Sequence, residues 1–233
     1  MAAADSAVEV GLPAALRLGD EAFALYGERA LYWPAADALL VADLHLGKGE
    51  VFRRAGIGVP RGGTAADLAR LSALLAATGA GRLLVLGDLL HGALHESAGW
   101  RSDWQAFRER HTDVCIDVLA GNHDRALRDA DAFENAAVLG VRLLQDGTIE
   151  RGITLCHEPR HASNGAASLC GHLHPAQHIN GLGRLPAFWW RAGQRQLVLP
   201  AFSTFTGRIA QRPAAGDALF ACAGHRVLPA VRY

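Results

Sequence analysis

Five apolar runs in this chain stop at a carboxylate, an amide or an imidazole, and that repetition constrains the fold more than any other feature. Ala38–Ala42 ends in Asp43-Leu44-His45, and Arg82–Leu86 in Gly87-Asp88-Leu89-Leu90-His91. Val114–Ala120 ends in Gly121-Asn122-His123-Asp124, Ile153–Cys156 in His157-Glu158-Pro159, and Ala167–Cys170 in Gly171-His172-Leu173-His174. Short continuous apolar runs of this kind suit strands buried on both faces. Each polar cluster alone is ordinary loop chemistry, since Asp, Asn and Gly favour turns. Five of them brought to one rim make a site, because the ends of strands are where α/β proteins keep their chemistry. Glycine precedes three of the clusters, at Gly87, Gly121 and Gly171, where it permits close backbone approach or a sharp turn.

The remaining pattern predicts what surrounds these strands. Ala22–Tyr26 and Ala30–Trp33, with Gly27-Glu28 between them, read as a hairpin. Thr64–Thr78 places Leu68, Leu71, Leu74 and Leu75 on one face, has capping-box spacing between Thr64 and Asp67, and stops at Gly79, which predicts a helix. Ser97–His111 predicts another, striped by Trp100, Trp104 and Phe107, and a short helix is expected from Arg125. After residue 140 helical periodicity fades. Val141–Leu144, Gln196–Leu199, Ala218–Ala223 and Arg226–Leu228 join the last two runs above as short strands, and Asn180–Pro186 reads as a loop. An alternating first half and a strand-rich second half imply an α/β (α+β) fold, a two-sheet mixed β-sandwich flanked by helices. The 233 residues suit one domain over 21–233, preceded by a partly disordered lead-in at 1–20.

Composition narrows the function. No apolar run approaches the ~20 residues of a membrane span, and the N-terminus lacks the pattern of a signal peptide. Cys115, Cys156, Cys170 and Cys222 each sit in an apolar run without a CxxC pair. They read as small buried hydrophobes in a reducing, cytoplasmic setting. With 23 basic and 23 acidic residues there is no global basic field to attract nucleic acid. One local cluster, Lys48, Arg53, Arg54 and Arg61, is either a nucleic-acid patch or a solvated face.

The rim itself offers Asp43, His45, Asp88, Asn122, His157, His172 and His174. Mixed nitrogen and oxygen ligands without thiolate suit Mn²⁺, Fe or Zn²⁺ better than Mg²⁺ or Ca²⁺. Seven ligands suit two ions with one carboxylate shared. Such a pair, ~3.5–4 Å apart, clamps a phosphate and activates water.

The ordered blocks D-x-H, G-D, G-N-H-D, H and G-H-x-H, over residues 43 to 174, resemble the calcineurin-like metallophosphoesterase superfamily. Within it, "VADLHLGK", "GDLLH", "GNHDR" and "CGHLHP" resemble the bacterial ligase-associated DNA damage response endonucleases. The resemblance implies the two-sheet fold and a dinuclear site, for which the donor set above makes manganese the expected metal, with iron or zinc as alternatives. Asp43, His45 and His174 would hold one ion, Asn122, His157 and His172 the other, and Asp88 would bridge. His123 would act on the phosphate and protonate the leaving oxygen, with His91 orienting it as in related break-repair nucleases. Asp124 would either support His123 or cap the following helix. Arg125 is either a phosphate clamp or an exposed helix residue. "GDLLHG" lacks the basic continuation of protein serine/threonine phosphatases.

The resemblance also implies a phosphodiesterase acting on DNA or RNA, with a functional link to a DNA ligase. A nucleotide phosphodiesterase or pyrophosphatase is the competing enzyme. A non-catalytic scaffold is disfavoured, because His123 and all seven ligands are present. Phe188-Trp189-Trp190 either stacks bases or packs beneath its loop.

Overall fold

The computed structural model describes residues 8–92, 94, 98–160, 165–207 and 209–233. Ser97, where the second helix was expected to begin, and residues 1–7 of the expected lead-in lie outside the described residues.

Two mixed sheets face one another. The first runs in space as β1 (Ala14–Leu18), β2 (Glu21–Tyr26), β3 (Ala30–Trp33), β4 (Ala38–Val41), β5 (Arg82–Leu86), β6 (Cys115–Leu119) and β7 (Arg142–Leu144). β1 to β4 pair antiparallel and β4 to β7 pair parallel. The second contains β8 (Ile149–Glu150), β9 (Ile153–Leu155), β10 (Ala167–Cys170), β11 (Pro175–Ile179), β12 (Gly183–Arg191), β13 (Gln196–Val198), β14 (Ile209–Ala210), β15 (Ala218–Ala223), β16 (Arg226–Val227) and β17 (Val231–Arg232). Its centre, β9, β10 and β13, is parallel.

Four helices flank the sheets among the described residues: α1 (Lys48–Arg54), α2 (Gly63–Thr78), α3 (Trp100–Arg110) and α4 (Ala132–Leu139). Successive strand residues point to opposite faces, and the core divides accordingly. Leu40, Leu84 and Leu119 meet Leu155, Leu169, Leu197 and Phe188 between the sheets. Their neighbours Leu39, Val41, Leu83, Val85 and Val118 face outward onto Leu71, Leu74, Trp104 and Phe107 of the helices.

Several expectations change. β1 lies inside the segment read as lead-in, paired along its length with β2. The expected loop Asn180–Pro186 is a turn only to Leu182, because β12 begins at Gly183. Cys115 is exposed at a strand start, unlike the other three cysteines. No capping box forms on α2. Its N-cap is Gly62, and Asp67 is buried, paired with Arg70 at 3.0 Å and accepting from the Thr204 amide. Phe188-Trp189-Trp190 lies within β12. Phe188 is fully buried, and the Trp189 indole donates to Asp217, so these two rings serve packing.

Candidate metal centre

The five polar clusters meet where the two sheets meet. β4, β5 and β6 deliver Asp43, Asp88 and Asn122 from the first sheet, and β9 and β10 deliver His157 and His172 from the second. The sequence reading placed all five on one rim of one sheet; the rim is shared by two. The sheets are tied together here, because Phe202, beyond β13, donates its amide to the Ala42 carbonyl, and His172 donates its amide to Asp43 Oδ2. Ser203 closes the edge by donating its amide to the Asp43 carbonyl. The segment Ala201–Ser203 carried no sequence signal.

Backbone strain marks the same residues. Asp43 (φ 56°), His45 (49°), Asp88 (53°), His172 (69°) and His174 (46°) all adopt the left-handed region. That region costs a non-glycine residue about 1–2 kcal/mol. The other described non-glycine residues with such φ, Arg29, Asp37, Arg151 and Arg195, sit in turns. Here the left-handed kink lets alternate residues after a strand turn to the same point.

Two glycines make the approach possible. A Cβ on Gly121 would stand 2.2 Å from Asp88 Oδ1, and one on Gly87 (φ 86°) would stand 1.9 Å from His157 Nδ1.

Ligand atoms of Asp43, His45 and His174 lie within 4.8 Å of one another, as do those of Asp43, Asp88 and His157. His174 Nε2 is 3.4 Å from Asp43 Oδ1. Asp88 stands between the two halves, with Oδ2 3.8 Å from His45 Nε2 and Oδ1 3.6 Å from His157 Nε2. Asn122 Oδ1 is 3.0 Å from His157 Nε2 and 3.1 Å from His172 Nδ1, and those two nitrogens are 3.1 Å apart. The structure thus gathers all seven expected ligands. Asp43 also touches both halves, a sharing that the sequence reading gave to Asp88 alone.

The donor set fits divalent cations. Asp43 Oδ1, His45 Nε2 and His174 Nε2 are buried without a hydrogen-bond partner. Buried polar atoms are normally satisfied, and a cation satisfies three converging lone pairs at once.

The imidazoles are set in the ligating tautomer. His157 Nδ1 faces the Leu86 carbonyl at 3.0 Å. A carbonyl only accepts, so Nδ1 carries the proton and Nε2 keeps its lone pair toward the centre. His45 Nδ1 stands 3.4 Å from His91 Nδ1. Burial, with the Lys48 charge next, holds His45 well below the usual imidazole range, and the same two causes hold His91 at about 4. Both rings are neutral near pH 7. A proton on His45 Nδ1, shared with His91, leaves His45 Nε2 free. Burial raises the Asp88 carboxyl, an effect opposed chiefly by His157.

His123 stands outside the ligand groups. Its amide donates to Asp88 Oδ1 at 2.9 Å, and its ring is half-buried against His91 and edge-on to His45. Asp124 makes no hydrogen bond to the His123 ring and does not cap the following 3₁₀ turn, Arg125–Leu127. Instead its buried carboxylate accepts amides from Leu89 (3.2 Å), Leu90 (2.6 Å) and Gly121 (2.9 Å). It clamps the turn after β5 to the turn after β6, and so holds the loop that carries Asn122 and His123.

Arg125 is exposed. With His91, Asn122, His123, Asp129 and Asn135 it lines a cleft of about 490 Å³. Lys48 proves distinct from the basic cluster it was read with. It is buried, whereas Arg54 and Arg61 are exposed and Arg53 donates to the Pro60 carbonyl.

No family model and no curated protein matches the chain. Among solved structures, nuclease MPE from Pseudomonas putida is similar over nearly the whole length. The TM-score is 0.76 and the identity 32%, covering 92% of this chain and 98% of that one.

Proposed function

Because the chain belongs to the family of the Pseudomonas putida nuclease MPE, we propose that it is a metal-dependent nuclease of the calcineurin-like metallophosphoesterase type, hydrolysing phosphodiester bonds of DNA. The observation that carries this reading is the set of unpartnered buried ligand atoms on Asp43, His45 and His174 next to a histidine, His123, that lies outside both ligand groups.

In this reading Asp43, His45 and His174 would hold one divalent cation and Asn122, His157 and His172 a second, with the Asp88 carboxylate available to both. Manganese suits the nitrogen–oxygen donor set, with iron and zinc as alternatives. Cations bound there would supply Lewis acidity to a phosphate and to the attacking water. The chain supplies the rest. His123, within reach of the same rim, gives a proton to the leaving oxygen. His91 keeps the His123 ring in place by stacking, and Asp124 fixes the backbone beneath it. Arg125 projects along the adjoining cleft, where it can meet a phosphate. In-line attack by water requires no protein nucleophile, in keeping with a rim that holds no Ser or Cys among its seven ligands.

The cleft of about 490 Å³ beside His123 supports a second reading, a nucleotide phosphodiesterase, which the balanced net charge also suits. An activity panel separates the two. Single- and double-stranded DNA, RNA, a nucleotide, and chromogenic phosphodiester and phosphomonoester are each offered with Mn²⁺, Mg²⁺, Zn²⁺ or chelator. The nuclease reading expects cleavage of DNA and of the diester, lost with chelator. Turnover of the nucleotide alone would replace it with the second reading.

A further inference from the structure

Lys48 is a cation without a paired anion among the described residues. It opens α1 and is only 9% exposed. Among the described residues its ammonium makes no hydrogen bond or ion pair. Its nearest aromatic neighbour is the Phe52 ring, with Nζ 5.9 Å from the centroid. Its charge is nonetheless felt at one side of the metal centre: Asp43 and Asp88 attract it, and it acts on His45 and His91. The geometry agrees: the Phe52 ring beside the ammonium is edge-on to His91, with centroids 6.2 Å apart, so the ammonium lies on the His45–His91 side of the centre and pairs with neither carboxylate.

The position is fixed by its surroundings. The Lys48 amide donates to the His45 carbonyl, and Leu46 is pinned between Leu89 and His91 by two further backbone bonds. Gly47 lies against the Trp100 indole, and the Glu50 carboxylate accepts the Trp100 amide at 2.9 Å. A long flexible side chain has thus been placed on a braced base, at the cost of desolvating its charge. The stem is buried while the ammonium keeps some contact with solvent, and partial desolvation of an unpaired ammonium favours an anion that arrives to meet it.

We propose that Lys48 is a catalytic residue of this centre, whose ammonium binds a non-bridging oxygen of the scissile phosphate. The inference rests on the phosphodiesterase reading for its substrate and on the geometry for its position. A compact ammonium suits the role, because it acts as a point charge on a single oxygen rather than as a bidentate fork. The contact strengthens as charge builds on the equatorial oxygens during transfer, and such contacts are the ones that raise turnover. Lys48 is thereby separated from Arg53, Arg54 and Arg61, whose positions suit phosphates farther along a strand.

The test compares wild type with K48M, which keeps the length and packing of the side chain, and with K48R. Three quantities are read in Mn²⁺: bound metal, the Kd of inorganic phosphate by titration calorimetry, and kcat/KM on a chromogenic phosphodiester. K48M should retain its metal, bind phosphate roughly 10-fold more weakly or worse, and lose about 10²-fold in kcat/KM, the size expected for removing one electrostatic donor. K48R should recover part of both losses. Should K48M not fold, K48Q carries the same comparison. Unchanged phosphate affinity and turnover in K48M would reduce Lys48 to a packing residue, and loss of metal would make it a support of the ligands; either outcome overturns the proposal. If wild type hydrolyses no diester with any metal, the phosphodiesterase reading fails, while the phosphate titration still decides whether Lys48 binds phosphate.

Discussion

The imidazole of His91 lies on that of His123, their centroids 4.7 Å apart and their planes 21° from parallel. Stacking fixes the orientation of a ring without consuming either of its nitrogens. Both nitrogens of His123 are therefore open to the proton transfer proposed for it. His123→Ala should retain both metals and lower kcat on DNA about 10²–10⁴-fold, the usual range for a general acid. The loss should shrink on a diester with a good leaving group, which needs no proton. Metal content and a leaving-group series measure this; loss of metal would instead make His123 a ligand.

His91 also stands 3.4 Å from His45 through the two Nδ1 atoms. His91→Phe keeps a ring on His123 and removes that nitrogen. The expected defect is in metal binding, about 10–100-fold weaker as is usual for partners of ligating histidines. A metal titration followed by activity at saturating metal separates the two roles: activity should largely return when metal is in excess.

Gly121→Ala introduces a methyl 2.2 Å from Asp88 Oδ1 and 2.5 Å from the Asp88 amide nitrogen. Neither group can retreat, because the amide belongs to the turn that Asp124 clamps. Overpacking of this kind costs about 1–3 kcal/mol. Urea denaturation should show that loss, and the displaced Asp88 should weaken metal binding at the same time. A stable variant with full metal affinity would contradict the close packing of β5 and β6 ends.

Asp124 sets a pH dependence. Burial raises its carboxyl to about 7 in the folded chain, against the pull of the Leu90, Gly121 and Leu89 amides; Asp88 adds to the rise. A folded pKa above the unfolded value means that the group contributes most below about pH 4 and that the contribution is lost as pH rises toward 7. In chelated protein, the stability of wild type relative to Asp124→Asn should therefore fall between pH 4 and 7, by roughly 1.4 kcal/mol per pH unit. Urea denaturation across that range measures the difference, and a rising difference would reverse the assignment.

Arg54 and Arg61 are exposed beyond α1, whereas Arg53 supports the loop at Pro60. Charge reversal of Arg54 and Arg61 should weaken DNA cleavage and leave a small diester nearly untouched. If each neutralises one phosphate, the log–log salt slope of DNA binding should lose about 0.7–0.9 for each. An unchanged slope would return these residues to the solvated face.

Much of the fold was legible because burial on both faces writes itself as uninterrupted apolar runs. Arg82–Leu86, Ala167–Cys170 and Ala218–Ala223 are strands with the bounds the sequence suggests. The helix α2 follows from its leucine spacing. β1 and β11 escaped notice because they lie nearer the sheet margins, where composition is mixed. α1 escaped because seven residues are too few to establish a period. The capping box at Thr64 failed because Asp67 was drawn into a buried pair with Arg70, an interaction no local pattern announces.

The sequence by itself determined which side chains would gather. Asp43, His45, Asp88, Asn122, His157, His172 and His174 follow strands, and parallel strands deliver their C-terminal ends to one side. Only the tertiary structure decided how they face one another. The rim spans two sheets, Asp43 reaches both ligand groups, Asp124 clamps backbone instead of touching His123, and Lys48 turns inward while Arg54 turns out. The physical reason is range. Apolar runs and turn residues act over a few neighbours along the chain, whereas left-handed kinks, orphaned donors and an unpaired ammonium acquire meaning only from atoms brought close by folding.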